Sequence, residues 1–357
     1  MPYRPNSPLT FQLSVAYAAL VIYASLYPFT DWRDLGTPLF VFLTAAWPRY
    51  WTVFDLATNV LAYLPLGFLW ATLLQSAQRR WPGVVSAILI GGVLSLILET
   101  IQNYLPSRVP SNLDLACNTL GAAIGALLGA VYGKTLLNGG RLHTLRTRWV
   151  LPGAAGDSGL TLMALWLLTQ LNPETLLFGN GDLRQLLDLE PAMEFDTLRF
   201  SRIESAIAFA NTLAVGLMAS CLLRRRHLAG VALLLLAGLA IHAFAAALLV
   251  EPRAALRWIT PGNRAGFLWG VLTLLLCLRL IPSMRRVIAG SALLFAAVLV
   301  NLAPPNPYLT EAAQAWWQGH FLNFNGLTRL SSMLWPFLAL PWLLMPQRDP
   351  SWNPTKT

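Results

Sequence analysis

Residues 98–129 read LETIQNYLPSRVPSNLDLACNTLGAAIGALLG, and within them Glu99, Gln102, Arg108, Asp114 and Asn118 fall inside and between two strongly apolar segments. Charged and amide side chains are costly in hydrocarbon, so such a cluster at helix ends marks a candidate functional site in a membrane protein. The same stretch predicts its local fold. Pro106 and Pro110 end one helix and stiffen a short connection. Gly121, Gly125 and Gly129 then recur every four residues, a close-packing stripe on the helix that follows.

The rest of the chain supplies the bilayer this cluster implies. Of 357 residues, 56% are hydrophobic and 11% charged, with a mean hydropathy of +0.55. A soluble protein of this length has no interior large enough for so much apolar surface. A span needs roughly 20 apolar residues. Apolar runs and their breaks predict helices at 9–28, 53–75, 83–103, 113–132, 151–171, 201–223, 228–250, 264–281, 286–303 and 327–345. The expected fold is therefore an all-α polytopic transmembrane bundle of about ten helices. The fifth run is weakened at its start by Pro152, Gly153, Gly156 and Asp157, and the eighth by Arg279 near its end. The first run reads as an uncleaved helix, because Tyr27-Pro28-Phe29 lacks the small residues of a signal-peptide cleavage site.

Lys and Arg accumulate in cytoplasmic loops. Alternating the ten runs puts Arg4, Arg79, Arg80, Lys134, Arg141, Arg146, Arg148, Arg224, Arg225, Arg226, Arg279, Arg285, Arg286, Arg348 and Lys356 on one side, with both termini. That side is expected to be cytoplasmic. The net charge of +9 is thus mainly an orientation signal. Arg224–Arg226 suit anionic head groups, and nothing calls for nucleic acid. Cys117, Cys221 and Cys277 lie in separate apolar runs, which predicts neither a disulfide nor a zinc site. His242 is read as a buried, satisfied histidine, and neither a metal nor another cofactor is expected.

With this orientation every polar residue of interest lies at the outer face. Asp55 and Asn59 share one face of the second helix, Glu99 and Gln102 one of the third, and Asp114 and Asn118 one of the fourth. Arg108, on the connection between the third and fourth, is placed to reach back over Glu99 or Asp114. Tyr63-Leu64-Pro65-Leu66-Gly67 is a Pro/Gly step expected to kink the second helix.

These residues resemble the VanZ-like membrane proteins. The resemblance rests on Asn59 with Tyr63-Leu64-Pro65-Leu66-Gly67-Phe68, on Glu99xxGln102, and on Arg108, Asp114, Asn118 and Gly121xxxGly125, over roughly residues 11–132. It implies a multi-pass protein of the bacterial cell envelope, in a family associated with tolerance to glycopeptide antibiotics. It implies no reaction.

Four segments are expected: a VanZ-like four-helix unit (11–132), a basic cytoplasmic linker (133–158), a second four-helix unit (159–282) and a C-terminal helix pair (283–346) with an outer aromatic loop. Asn211 with Gly216 echoes Asn59 and its followers. Asn263, Gly266 and Gly270 echo Asn118, Gly121 and Gly125 at an offset of 145 residues, which Arg253 also keeps from Arg108. Phe324-Asn325 through Trp335-Pro336-Phe337 is a fainter third echo. At the offset of 145, Glu99 becomes Phe244 and Asp114 becomes Ile259, so the second unit is expected to lack the acids. A degenerate repeat and chance similarity between apolar segments explain these echoes equally well.

The outer segment 172–200, with Leu183, Leu186, Leu187 and Leu189 among charges, predicts a short amphipathic surface helix. The segment 304–325, with Trp316, Trp317 and His320, predicts an interfacial anchor.

For the cluster Asp55, Asn59, Glu99, Gln102, Arg108, Asp114 and Asn118, several readings stand. One is binding of a membrane lipid or lipid-linked envelope precursor, with Arg108 and the amides holding its head group. A second is a membrane-surface enzyme using Glu99 and Asp114, although no catalytic motif supports it. A third is a transporter. The fourth is a structural network tying three helices together.

Overall fold

The computed structural model describes residues 8–345 except 28, 30, 35, 49, 76–79, 140, 173–174, 185, 188–192, 194, 225–226, 250–255, 257 and 305–321. The described chain is helical: α1 (Pro8–Leu26), α2 (Val41–Thr44), α3 (Val53–Leu74), α4 (Trp81–Gln102), α5 (Asn112–Leu128), α6 (Arg141–Trp149), α7 (Ala154–Thr169), α8 (Thr197–Leu222), α9 (His227–Leu249), α10 (Pro261–Cys277), α11 (Pro282–Leu302) and α12 (Leu322–Leu344). The helix α5 runs on as a π-helical stretch, Gly129–Gly139.

Each of the ten expected apolar runs is a helix. Among the described residues seven are long and apolar enough to cross a membrane: α1, α3, α4, α5 with its π-helical continuation, α8, α9 and α11. The runs weakened by Pro/Gly and by Arg279 are α7 and α10, of 16 and 17 residues. At 1.5 Å per residue these reach about 24 and 26 Å, short of a hydrocarbon core of about 30 Å. The fold is a polytopic membrane bundle. On α4, Val85, Leu89, Val93 and Ile97 recur every fourth residue and are about half exposed, while Gly91, Ser95, Leu98, Glu99 and Gln102 are buried. This is the inverse of a water-soluble helix and suits a lipid-facing flank.

The chain divides into two compact units, Met1–Thr147 with Leu322–Leu327, and Arg148–Phe321 with Thr328–Thr357. In the first, Val21, Leu26, Tyr63, Leu66, Leu98, Leu105 and Ala122 form the core between α1, α3, α4 and α5. The glycine stripe explains how closely α3 and α5 approach. A Cβ at Gly121 would meet the Val60 carbonyl, one at Gly125 the Leu64 carbonyl, and one at Gly129 the Phe68 carbonyl; on α3, Gly67 meets the Ala122 backbone in the same way. The Tyr63–Phe68 motif therefore serves backbone-to-backbone packing. Pro65 lies inside α3, which is continuous from Val53 to Leu74.

The second unit is built around α8, whose apolar window is 83% buried against 28–39% for the other spans. A Cβ at Gly262 would meet the Ser201 carbonyl, one at Gly266 the Ser205 carbonyl, and one at Gly270 the Phe209 carbonyl. Trp335 and Trp342 on α12 donate their indole N–H groups to the Leu162 and Ala155 carbonyls of α7. A single antiparallel bridge joins Val150 to Leu223. There the Leu151 N–H donates to the Leu222 carbonyl and the Arg224 N–H to the Trp149 carbonyl, at 3.0 and 2.8 Å.

In the segment 172–200 the described residues before α8 form turns, and residues 185, 188–192 and 194, on which much of the expected amphipathic helix falls, lie outside the described residues. Leu177, Phe178 and Asn180 are buried, and Asn301 on α11 accepts the Leu183 N–H while donating to the Gly181 carbonyl. Arg184 makes a two-point ion pair with Asp182 and donates to the Ala303 carbonyl. That pairing raises the basicity of Arg184, partly offset by burial. An Asn side chain that bonds loop backbone fixes an irregular path that the leucine spacing does not reveal. Leu189, Arg225, Arg226, Arg253 and the aromatic loop with Trp316, Trp317 and His320 lie outside the described residues. The three cysteines are free. His242 is 3% exposed, as expected, but its Nδ1 has no partner.

Candidate functional site

The cluster in the first unit is assembled by two helix starts and one helix end. Thr52 caps α3 in a reciprocal box with Asp55, whose carboxylate accepts the Thr52 N–H and hydroxyl. Ser111 caps α5, its hydroxyl accepting the Leu113 and Asp114 N–H groups. Both devices satisfy amides that a helix start leaves open. The end of α4 then enters: Glu99 Oε2 accepts the Ser111 N–H at 2.9 Å. A buried carboxylate next to the positive end of α5 is electrostatically favoured.

Four further contacts join the helices. Asn59 Nδ2 donates to Asp114 Oδ1 at 2.7 Å, linking α3 to α5. Asn118 Nδ2 donates to Ser95 Oγ at 3.0 Å, linking α5 to α4. Gln102 Nε2 donates to the Ser25 carbonyl at 2.8 Å, linking α4 to α1. Arg108 donates from Nε and Nη2 to the Tyr27 carbonyl, at 3.0 and 2.6 Å, and from Nη2 to the Ala24 carbonyl at 3.4 Å.

Arg108 departs from its expected place. It makes no ion pair with Glu99 or Asp114 and instead holds the carbonyls at the end of α1, which no intrahelical N–H reaches. Burial pulls its guanidinium below its usual basicity, and the nearby Glu99 carboxylate acts in the opposite direction. The residues thus sort into two layers. Glu99, Gln102 and Asn118 are buried, at 4, 9 and 6% exposure, whereas Asp55, Asn59 and Asp114 are half-buried. Asp55, besides capping α3, is an electrostatic neighbour of Asp114. The half-buried layer therefore carries two carboxylates and an amide, with the equally half-buried Arg108 guanidinium turned to the end of α1.

Several participants escape sequence reasoning. Ser95 and Ser111 are ordinary residues in a sequence, and only the tertiary pairing shows that they receive Asn118 and Glu99. Tyr63 was legible only as part of a motif. It is 3% exposed, and its hydroxyl and the Asn118 Oδ1 atom are buried without a hydrogen-bond partner. Among the described residues no group of three His, Cys, Asp or Glu side chains is arranged to hold a metal ion.

Residues 6–133 match the VanZ/LLP1 family model. No curated protein and no solved structure matches the chain.

Proposed function

From a chain that is VanZ-like over residues 6–133, we propose a binding role in the bacterial inner membrane, with both termini cytoplasmic and the polar cluster outside. The ligand is an amine-bearing head group of a membrane lipid or lipid-linked envelope precursor. It is held by Asp114, Asn59 and Asp55, with Glu99, Gln102, Arg108 and Asn118 as the frame that fixes these three. The observation that carries the reading is the engagement of Arg108 on α1 carbonyls. Arg108 commits Nε and Nη2 to backbone carbonyls, and the half-buried side chains of Asp55, Asn59 and Asp114 carry carboxylate and amide oxygens, which complement an ammonium group. Apolar flanks such as the Val85–Ile97 stripe suit an acyl chain. The family resemblance associates this reading with tolerance to glycopeptide antibiotics.

The test is native mass spectrometry with lipid identification on the purified wild type, Asp114→Asn and Asn59→Ala. Asn at 114 still accepts from Asn59, so the fold is kept while the charge is lost. Loss of an amine-bearing lipid from both variants supports the proposal. Identical lipid content in all three proteins refutes it and leaves the cluster as a structural tie between helices.

A further inference from the structure

The second unit repeats the packing register of the first. Gly121 lies against Val60 and Gly125 against Leu64; Gly266 lies against Ser205 and Gly270 against Phe209. All four pairs are related by the same shift of 145 residues, on both helices of each pair. Chance similarity between apolar segments does not reproduce a backbone register on two helices at once. The same shift carries Asn118 to Asn263, and each is a buried asparagine whose Oδ1 has no donor. It carries Asn59 to Glu204. The echo of Asn59 read at Asn211 is thus one of composition, and Asn211 bonds its own helix at the Ile207 carbonyl.

While Phe244 and Ile259 stand where Glu99 and Asp114 would repeat, Glu204 gives the second unit a carboxylate at the position of Asn59. It is 2% exposed, on α8, and points at the first turn of α10, since its Oε2 is where a Cβ on Gly262 would project. The Thr260 hydroxyl and the Asn263 backbone lie beside it. Thr260 caps α10 by accepting the Asn263 N–H at 3.0 Å. Both units therefore bury a glutamate at the capped start of the glycine-striped helix, from α4 in the first and α8 in the second. They differ in how the carboxylate is used. Glu204 Oε1 has no partner, and neither has Asn263 Oδ1, while Asn263 Nδ2 is held by the Trp258 carbonyl. Two buried acceptors without donors are a costly arrangement unless something supplies the hydrogens.

On the outer side of the same turn is a groove of about 630 Å³ lined by Ile259, Thr260, Arg264, Leu268, Trp269 and Leu272. Thr260 lines this groove and also stands beside Glu204, which with Asn263 lies behind the lining. The groove offers an exposed guanidinium at its polar end and an aliphatic and aromatic wall below.

We propose that the second unit is a degenerate repeat of the first and that the start of α10 is a second lipid site, occupied by a zwitterionic phospholipid with a primary amine. Arg264 takes its phosphate, Glu204 Oε1 and Asn263 Oδ1 take its ammonium hydrogens, and Leu268, Trp269 and Leu272 cover an acyl chain. A trimethylated head group has no N–H to donate, and a glycerol head group carries no charge for Glu204. The site stands on the geometry of the second unit alone.

The experiment is native mass spectrometry of the full chain titrated with phosphatidylethanolamine, phosphatidylcholine and phosphatidylglycerol. Wild type should retain phosphatidylethanolamine at least about tenfold better than the other two, the size of a charge-assisted hydrogen bond. Glu204→Gln and Arg264→Ala should each remove one tightly held molecule, and Asp114→Asn should not affect that molecule. Should Glu204→Gln fail to fold, Arg264→Ala, a change at an exposed side chain, decides alone. Retention unchanged by Arg264→Ala, or equal retention of the three lipids at the site that Arg264→Ala empties, overturns the proposal.

Discussion

Glu99 Oε2 accepts the Ser111 backbone N–H, so the carboxylate near the end of α4 fixes the residue that caps α5. Glu99→Ala should leave that buried amide open and cost about 1–3 kcal/mol. Glu99→Gln, whose amide oxygen still accepts, should cost less. Thermal unfolding in detergent measures both, and equal stability of the two variants would contradict the assignment.

Arg108 should be needed for order at the end of α1 more than for ligand affinity. Arg108→Lys keeps the charge but loses the two-nitrogen grip on the Tyr27 carbonyl. Faster amide hydrogen exchange over Ala24–Tyr27 is expected in Arg108→Lys, and still faster exchange in Arg108→Ala. Unchanged exchange in both would mean that Arg108 holds nothing there.

Gly125→Val should destabilise the first unit by about 1–3 kcal/mol through overpacking against Leu64. Gly266→Val should do the same to the second unit against Ser205. Gly290, whose nearest neighbour for a Cβ is Leu340 Cδ2 at 3.8 Å, supplies the control: Gly290→Ala should be neutral or slightly stabilising. The readout is the melting temperature of each variant, and a destabilised Gly290→Ala with unaffected Gly125→Val would reverse the packing argument.

Asn301→Ala should release the turns before α8. It removes the acceptor for the Leu183 N–H and the donor to the Gly181 carbonyl together, so exchange at Gly181–Arg184 should accelerate while α9 and α10 keep their protection. An unaltered exchange pattern would show that the Asp182–Arg184 pair suffices to hold the segment.

How much of this was legible in the sequence follows from which forces leave a linear trace. Apolar run length does, and every expected run is a helix; the Pro/Gly start of α7 and Arg279 after α10 marked the two short ones. The glycine stripe also does, because only a missing side chain permits such backbone approach. Pairings that depend on a partner far along the chain do not. Nothing local in Arg108 distinguishes a ligand-binding guanidinium from one that satisfies α1 carbonyls. Glu204 leaves no such trace, because Asn211 resembles Asn59 in its neighbours, whereas the glycine–carbonyl contacts set Glu204, seven residues earlier, at that position. The turns around Gly181–Leu183 are held by Asn301, a partner more than a hundred residues away that the leucine spacing does not show.

The bridge between Val150 and Leu223 has a consequence for the path of the chain. It closes the stretch from the start of α7 to the end of α8 into a loop whose two ends meet through main-chain hydrogen bonds. The first turn of the short helix and the last turn of its long neighbour therefore lie at one level of the second unit, and the chain between them leaves that level and returns to it.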